Sequence, residues 1–229
     1  MYKYLRYLAS CVLIAITATG FLLGGHWMWL GIGVAMVVWV GGDLISGDDL
    51  SEPEYHHLAV NDLMLHLVLP VLALGLFTYI WAASENDLFG LGAFIQSATG
   101  YDALNAREAN TLLDYFGASL GIGLNLAMQG VIVGHELTGR TWDPKAMFTG
   151  RWLFALSCGM NFATEHVYGH HHTIATPEDP STALRGDNFY KYTTLRTWQQ
   201  WAHGWGIEKA RLAKSGKSVF NWHNQLLRA

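Results

Sequence analysis

Residues 7–42 contain no Asp, Glu, Lys or Arg. As helix, those 36 residues would run about 54 Å at ~1.5 Å per residue. A bilayer core is ~30 Å thick, so the run suits two crossings with a turn between them. Gly24-Gly25-His26 lies near its middle and supplies that turn. Residues 63–84 form a second uncharged run of 22, and residues 115–135 a third of 21. Three such runs in 229 residues favour a membrane protein over a soluble helical bundle. A fourth run, 152–164, has only 13 residues and reads as a buried, interfacial or re-entrant helix. Lys3 and Arg6 precede the first run as in a signal peptide. The apolar stretch continues far past a typical h-region and lacks a small-x-small cleavage site, so it reads as a retained helix.

The expected fold is therefore all-α: an integral membrane helix bundle with about four spans, at 7–24, 27–43, 62–84 and 114–135, plus the short helix. The expectation is one membrane domain over 1–229, with 136–229 as its cytoplasmic metal-binding part. With the N-terminus cytoplasmic, 13 of the 14 Lys and Arg residues fall on the cytoplasmic side, and only Arg107 falls outside. That is a strong positive-inside pattern. The same topology puts ten of the 11 histidines on or near that side, His26 being the exception. Residues 85–114 read as an extracytoplasmic loop. Residues 173–229 read as a polar cytoplasmic region, in which Lys214-Ser215-Gly216-Lys217 makes a turn after a short helix.

Composition removes several functions. The chain is 51% hydrophobic and 14% charged, which excludes disorder. Its net charge of −4 gives no basic surplus for nucleic acid. Cys11 and Cys158 are too few for a disulfide scaffold or a cysteine-only zinc site.

The chemistry lies in Glu165-His166-Val167-Tyr168-Gly169-His170-His171-His172. His166 and His170 are four apart, so a helix puts them on one face. Neutral imidazole is a ligand for iron, zinc, copper and nickel. His171 or His172 could reach a second metal if the helix ends near Gly169. A neighbouring carboxylate, Glu165, could ligate or hold a ligand in place. His135-Glu136-Leu137-Thr138-Gly139-Arg140 closes the third run, and an ionisable pair at the end of a span is a functional candidate. Gly139 stands where an i+4 histidine would complete a two-ligand helix face, and Thr138 and Gly139 also break the zincin pattern.

His135-Glu136-Leu137, followed ~30 residues later by Glu165-His166-x-x-Gly169-His170-His171, resembles the integral-membrane alkane hydroxylases. These belong to the wider histidine-rich fatty acid desaturase and hydroxylase group, which includes xylene monooxygenase. Ala175-Thr176-Pro177-Glu178-Asp179-Pro180 is similar to the same pattern, as is Gly42-Asp43-Leu44-Ile45-Ser46-Gly47-Asp48-Asp49. The resemblance implies a non-haem di-iron centre that activates O2 and hydroxylates an apolar alkane or alkyl substrate entering from the lipid bilayer. Electrons would come from a rubredoxin or ferredoxin. It implies His135, His166, His170 and His171 as metal ligands and Glu136 and Glu165 as catalytic carboxylates, at a bacterial inner membrane. That family carries a second histidine at the position of Gly139 and more histidine boxes downstream, so the chain reads as the N-terminal portion of a longer hydroxylase. Two alternatives stand beside this reading: a fatty acid desaturase or hydroxylase of the same group, and a truncated, non-catalytic remnant.

Other residues carry weaker signals. His56-His57 sits in an acidic loop with Glu52, Glu54 and Asp62 and reads as a solvated pair or one that backs a metal ligand. His66 could face the site from the start of a span. His203 and His223 read as ordinary tail residues. Asp43 could hydrogen-bond a ligand histidine and Glu178-Asp179 could back one or meet a redox partner, but a helix-end carboxylate and a turn account for them as well.

Overall fold

The computed structural model describes residues 4, 6–48, 50 and 54–228. Lys3, Asp49 and Glu52 lie outside the described residues. The described residues form helices and connecting turns, with no strand. The chain divides into two compact units, Met1–Gly130 and Val131–Ala229.

In the first unit, α1 (Ala9–Leu23) turns into α2 (Gly25–Ser46) at Gly24 and Gly25. Both glycines have positive φ, 70° and 54°, which an L side chain adopts only at a cost. α3 (Leu58–Ala83) follows, then α4 (Leu91–Thr99) and α5 (Ala103–Glu108). α6 (Leu112–Gly139) starts at a capping box, Thr111 with Asp114, and its last turns belong to the second unit. α2, α3 and α6 are long and apolar enough to cross a membrane. α1 packs against α3, α2 and the first part of α6. It has 15 residues, about 22 Å at ~1.5 Å per residue, which is shorter than a bilayer core.

Phe21, Met28, Trp81, Ala118 and Ile122 form the core of this unit. Small residues set the helix spacing. A Cβ on Gly117 would fall into the Trp29 ring, and one on Gly31 would meet Thr17. This is the close approach typical of apolar helices in membranes. Asn125, buried in α6, donates from Nδ2 to Thr17 Oγ1 at 3.0 Å across that contact.

The 85–114 segment differs from the expected loop, being mostly helical. Leu88, Leu91, Ile95 and Leu104 pack on the core, which rewards helix formation there. Asp87 ties it down, accepting from Trp81 Nε1, Gly92 N and Ala93 N at 2.8–3.1 Å.

The second unit contains the end of α6, then α7 (Pro144–Leu156), α8 (residues 162–173) and α9 (Phe189–Ala213). Asp143 caps α7 by accepting from Lys145 N and Ala146 N, with Pro144 in the first turn. The uncharged run 152–164 is not one helix. α7 ends at Leu156, the chain turns through Cys158 at φ 56°, and α8 begins at Phe162. The helix before Lys214 is also longer than expected, at 25 residues, and Gly216 at φ 65° makes the turn after it.

Candidate metal centre

His135, His166 and His171 each offer a ring nitrogen, and the three nitrogens lie within 4.8 Å of one another. His135 comes from the last turns of α6, and the other two from α8. His166 Nε2 lies 2.9 Å from His135 Nε2. His166 is only 8% exposed, while His135 and His171 are open.

The backbone explains why His171 joins this group. Residues His166–His170 form a π turn, and His171 N–H bonds to the His166 carbonyl, five residues back. An i→i+5 turn seats residue i+5 over residue i, where an α-turn would seat residue i+4. The His171 ring centroid is accordingly 4.5 Å from that of His166.

His170 lies outside the 4.8 Å group, with its ring stacked on His166 at 5.0 Å. Its Nδ1 lies 2.7 Å from Asp179 Oδ2. With the proton on Nδ1, that carboxylate accepts it and Nε2 keeps its lone pair. Asp179 is fully buried and also accepts from Thr182 Oγ1 and Ser181 N. Burial would raise its pKa, but the bonds from Thr182, Ser181 and His170 outweigh that and hold it below the usual range.

Glu165 is 1% exposed. Its Oε1 lies 3.2 Å from His203 Nδ1, and its Oε2 accepts from Ser181 Oγ at 3.3 Å. Glu136 is open to solvent and pairs with Arg140 at 2.9 Å. The fold therefore gathers His135, His166 and His171, sets His170 and Glu165 beside them, and turns Glu136 toward Arg140.

His203 is the addition that sequence reasoning passed over, whereas Asp179 is weighed there, with Glu178, as a possible partner of a ligand histidine. His203 is 38 residues from Glu165, and no local spacing links them. Gly169 and Gly204 let α9 approach. A Cβ on Gly169 would lie 2.8 Å from His203 Cε1, and one on Gly204 would lie 3.3 Å from Glu165 Cβ. Asp179 had a signal, the turn between Pro177 and Pro180, but a turn alone explains such a residue.

Phe162 closes one side of the group. Its ring stacks on His166 at 4.5 Å and 14°, and meets the Phe154 ring at 4.8 Å with a 33° tilt. Burial first, then the charges of His135, His171 and His170, hold the His166 pKa down to about 4. The ring is neutral at neutral pH and can offer a lone pair to a metal.

Of the remaining histidines, His26 bonds to Asp114 at 3.2 Å, His56 lies 3.7 Å from Glu54 and His66 lies 3.7 Å from Asp62. His172 is exposed, and His223 bonds to Asn221.

The profile of the fatty acid desaturase family matches residues 110–229, which hold the whole histidine group. The chain is 28% identical over 197 residues to alkane 1-monooxygenase 1 of Pseudomonas aeruginosa, covering 86% of this chain and 46% of that protein. It is 36% identical over 109 residues to an alkane 1-monooxygenase of Pseudomonas putida, covering 48% and 26%. It is 28% identical over 223 residues to the hydroxylase component of a xylene/toluene monooxygenase of Pseudomonas putida, covering 96% and 54%. The chain spans about half the length of the relatives it matches.

Proposed function

This chain belongs to the fatty acid desaturase family, and from that premise we propose that it is the histidine-bearing membrane part of a non-haem iron monooxygenase acting on an apolar alkane or alkyl substrate. The observation that carries the proposal is the three-histidine group at the end of a membrane-length helix.

The donor set fits iron, for which imidazole nitrogen is a suitable ligand. The 2.9 Å between the ring nitrogens of His135 and His166 is short enough for both to serve one ion. His135, His166 and His171 would hold one ion, and His170 would offer Nε2 to the same or a second ion. A bound iron would supply the reductive activation of O2 and the transfer of one oxygen atom to a C–H bond.

The chain's own residues prepare the place. Asp179 fixes the His170 ring and its tautomer by holding Nδ1–H. Glu165 positions His203 against α8 rather than meeting substrate. Phe162 and Phe154 keep water from one face of His166. The substrate would arrive through the bilayer, and a rubredoxin or ferredoxin would deliver electrons at the cytoplasmic side. The Lys and Arg distribution supports that orientation, in an inner membrane.

The test is to purify the chain in detergent, load it anaerobically with Fe(II), pass it through a desalting column and count iron per chain. Bound iron is expected in the parent protein, with loss in His166→Ala and His135→Ala. A parent that retains no more iron than His166→Ala overturns the site. In parallel, membranes holding the chain receive octane, O2 and a rubredoxin with its reductase. Octanol is the expected product, and octene in its place would assign desaturation.

A further inference from the structure

Away from the histidines, the second unit has a groove of about 530 Å³ between α7 and the C-terminal segment. Phe148, Trp152, Trp222 and Leu227 give it apolar walls, and Arg151 and Arg228 stand among them. No carboxylate lines it among the described residues.

Arg151 is the unusual member. Its Nε is buried and has no hydrogen-bond partner. Its Nη2 donates to a neutral group, Gln225 Oε1, at 2.5 Å. The nearby carboxylate, Glu208, is already engaged by the Arg211 fork at 2.7 and 2.8 Å and by Gln225 N at 2.9 Å. A buried guanidinium N–H without an acceptor is costly, so such a donor marks a place where an anion is wanted. Burial first, then the charge of Arg228, hold the Arg151 pKa below the ordinary arginine value, and the charge of Glu208 offsets only part of this.

The walls narrow the choice of anion. Phe148, Trp152, Trp222 and Leu227 are between 42% and 77% exposed, more apolar surface than a small inorganic anion needs. Aromatic rings beside arginines are the composition of a membrane–water interface. Guanidinium donors suit a phosphate, and exposed aromatics suit an acyl chain.

We propose that this groove binds an acidic phospholipid of the surrounding bilayer, its headgroup phosphate between Arg151 and Arg228 and its acyl chain along Phe148, Trp152 and Trp222. Arg151 draws the phosphate by its charge, which no carboxylate lining the groove neutralises among the described residues. Arg228, exposed at the rim, adds charge.

Bromine on an acyl chain quenches tryptophan at contact distance, which gives the test. The chain is placed in nanodiscs of phosphatidylcholine containing either dibrominated phosphatidylglycerol or the same fraction of dibrominated phosphatidylcholine. Stronger quenching by the brominated phosphatidylglycerol is expected. Trp152→Phe combined with Trp222→Phe should remove that excess, locating it in the groove. Arg228→Gln, at an exposed position, should reduce the excess, and Arg151→Gln should abolish it with helix content unchanged by circular dichroism. Lys145→Gln, on the same helix but outside the groove, should leave it intact. Equal quenching by the two lipids overturns the proposal, as does an equal loss in Lys145→Gln. Quenching of the two tryptophans by brominated oleate but not by brominated phosphatidylglycerol also overturns it and assigns the groove to a free fatty acid.

Discussion

At the scale of single residues, the two carboxylates nearest the histidine motifs occupy opposite environments. Glu136 is solvent-exposed and salt-bridged to Arg140, whereas Glu165 is sealed in with His203 and Ser181. Glu136→Gln should therefore cost only about 0.3–0.5 kcal/mol, the worth of an exposed i,i+4 pair, and leave iron content unchanged. Iron lost from that variant would put Glu136 in the site. Asp179 predicts the reverse. Partners that orient ligand histidines are worth roughly 10–100-fold in metal affinity. Asp179→Asn should weaken iron retention by that factor in competition with a chelator, while Asp187→Asn, on the surface, should not. Affinity equal to the parent's would remove Asp179 from the ligand-orienting role.

At the scale of elements, the approach of α8 to α9 depends on Gly169. An added methyl would press on His203 Cε1 and Nδ1 and on Ile207 Cδ1, all within 2.8–3.0 Å. Overpacking of this kind costs about 1–3 kcal/mol. Gly169→Ala should lower the urea midpoint accordingly, whereas Gly139→Ala, with open space around its Cβ, should not. How much could be read from sequence divides along similar lines. The apolar helices were legible because lipid demands long uncharged runs, and α2, α3 and α6 follow them. The turn at Gly24-Gly25 was legible because glycine tolerates positive φ. The helicity of 85–114 was not, since it depends on packing against a core that includes Phe21 and Met28, which are distant in sequence. Within the site, His135, His166, His170 and His171 stood out by their motif. The nearness of His171 did not, because an α-helical spacing places it off the face and only the π turn restores it. His203 reaches Glu165 through tertiary packing, which no local pattern encodes.

At the scale of the whole molecule, what holds the second unit together beyond apolar packing is an ionic knot joining α9 to the C-terminal segment. Burial alone would raise the pKa of Glu208, but the Arg211 fork and Gln225 N–H hold it below the usual range. Arg211 also donates to the His223 carbonyl at 2.6 Å. A carboxylate with a depressed folded pKa contributes stability that is fully present above its unfolded value, near 4.5, and lost as pH falls through the folded value. Unfolding midpoints should thus fall more steeply below pH 4.5 in the parent than in Glu208→Gln. Identical profiles would show that the knot contributes no pH-dependent stability. The knot, the groove and the histidine group share the 99 residues from Val131 to Ala229, all of which lie within the matched family segment.

The π turn at His166–His170 has a consequence for how this stretch tolerates insertion and deletion. It holds one residue more than an α-helical turn needs. Removing Tyr168 would return the segment to ordinary α-helix, with His171 now four residues after His166 and still on its face. Such a shortened chain should keep its iron, although losing a residue beside a metal ligand ordinarily destroys a site. Removing Gly206 from α9 instead would turn everything beyond it by about 100°, pulling Glu208 and Arg211 out of register with His203. Iron retention in the first deletion and unfolding in the second would mark the π turn as a one-residue reserve in the chain.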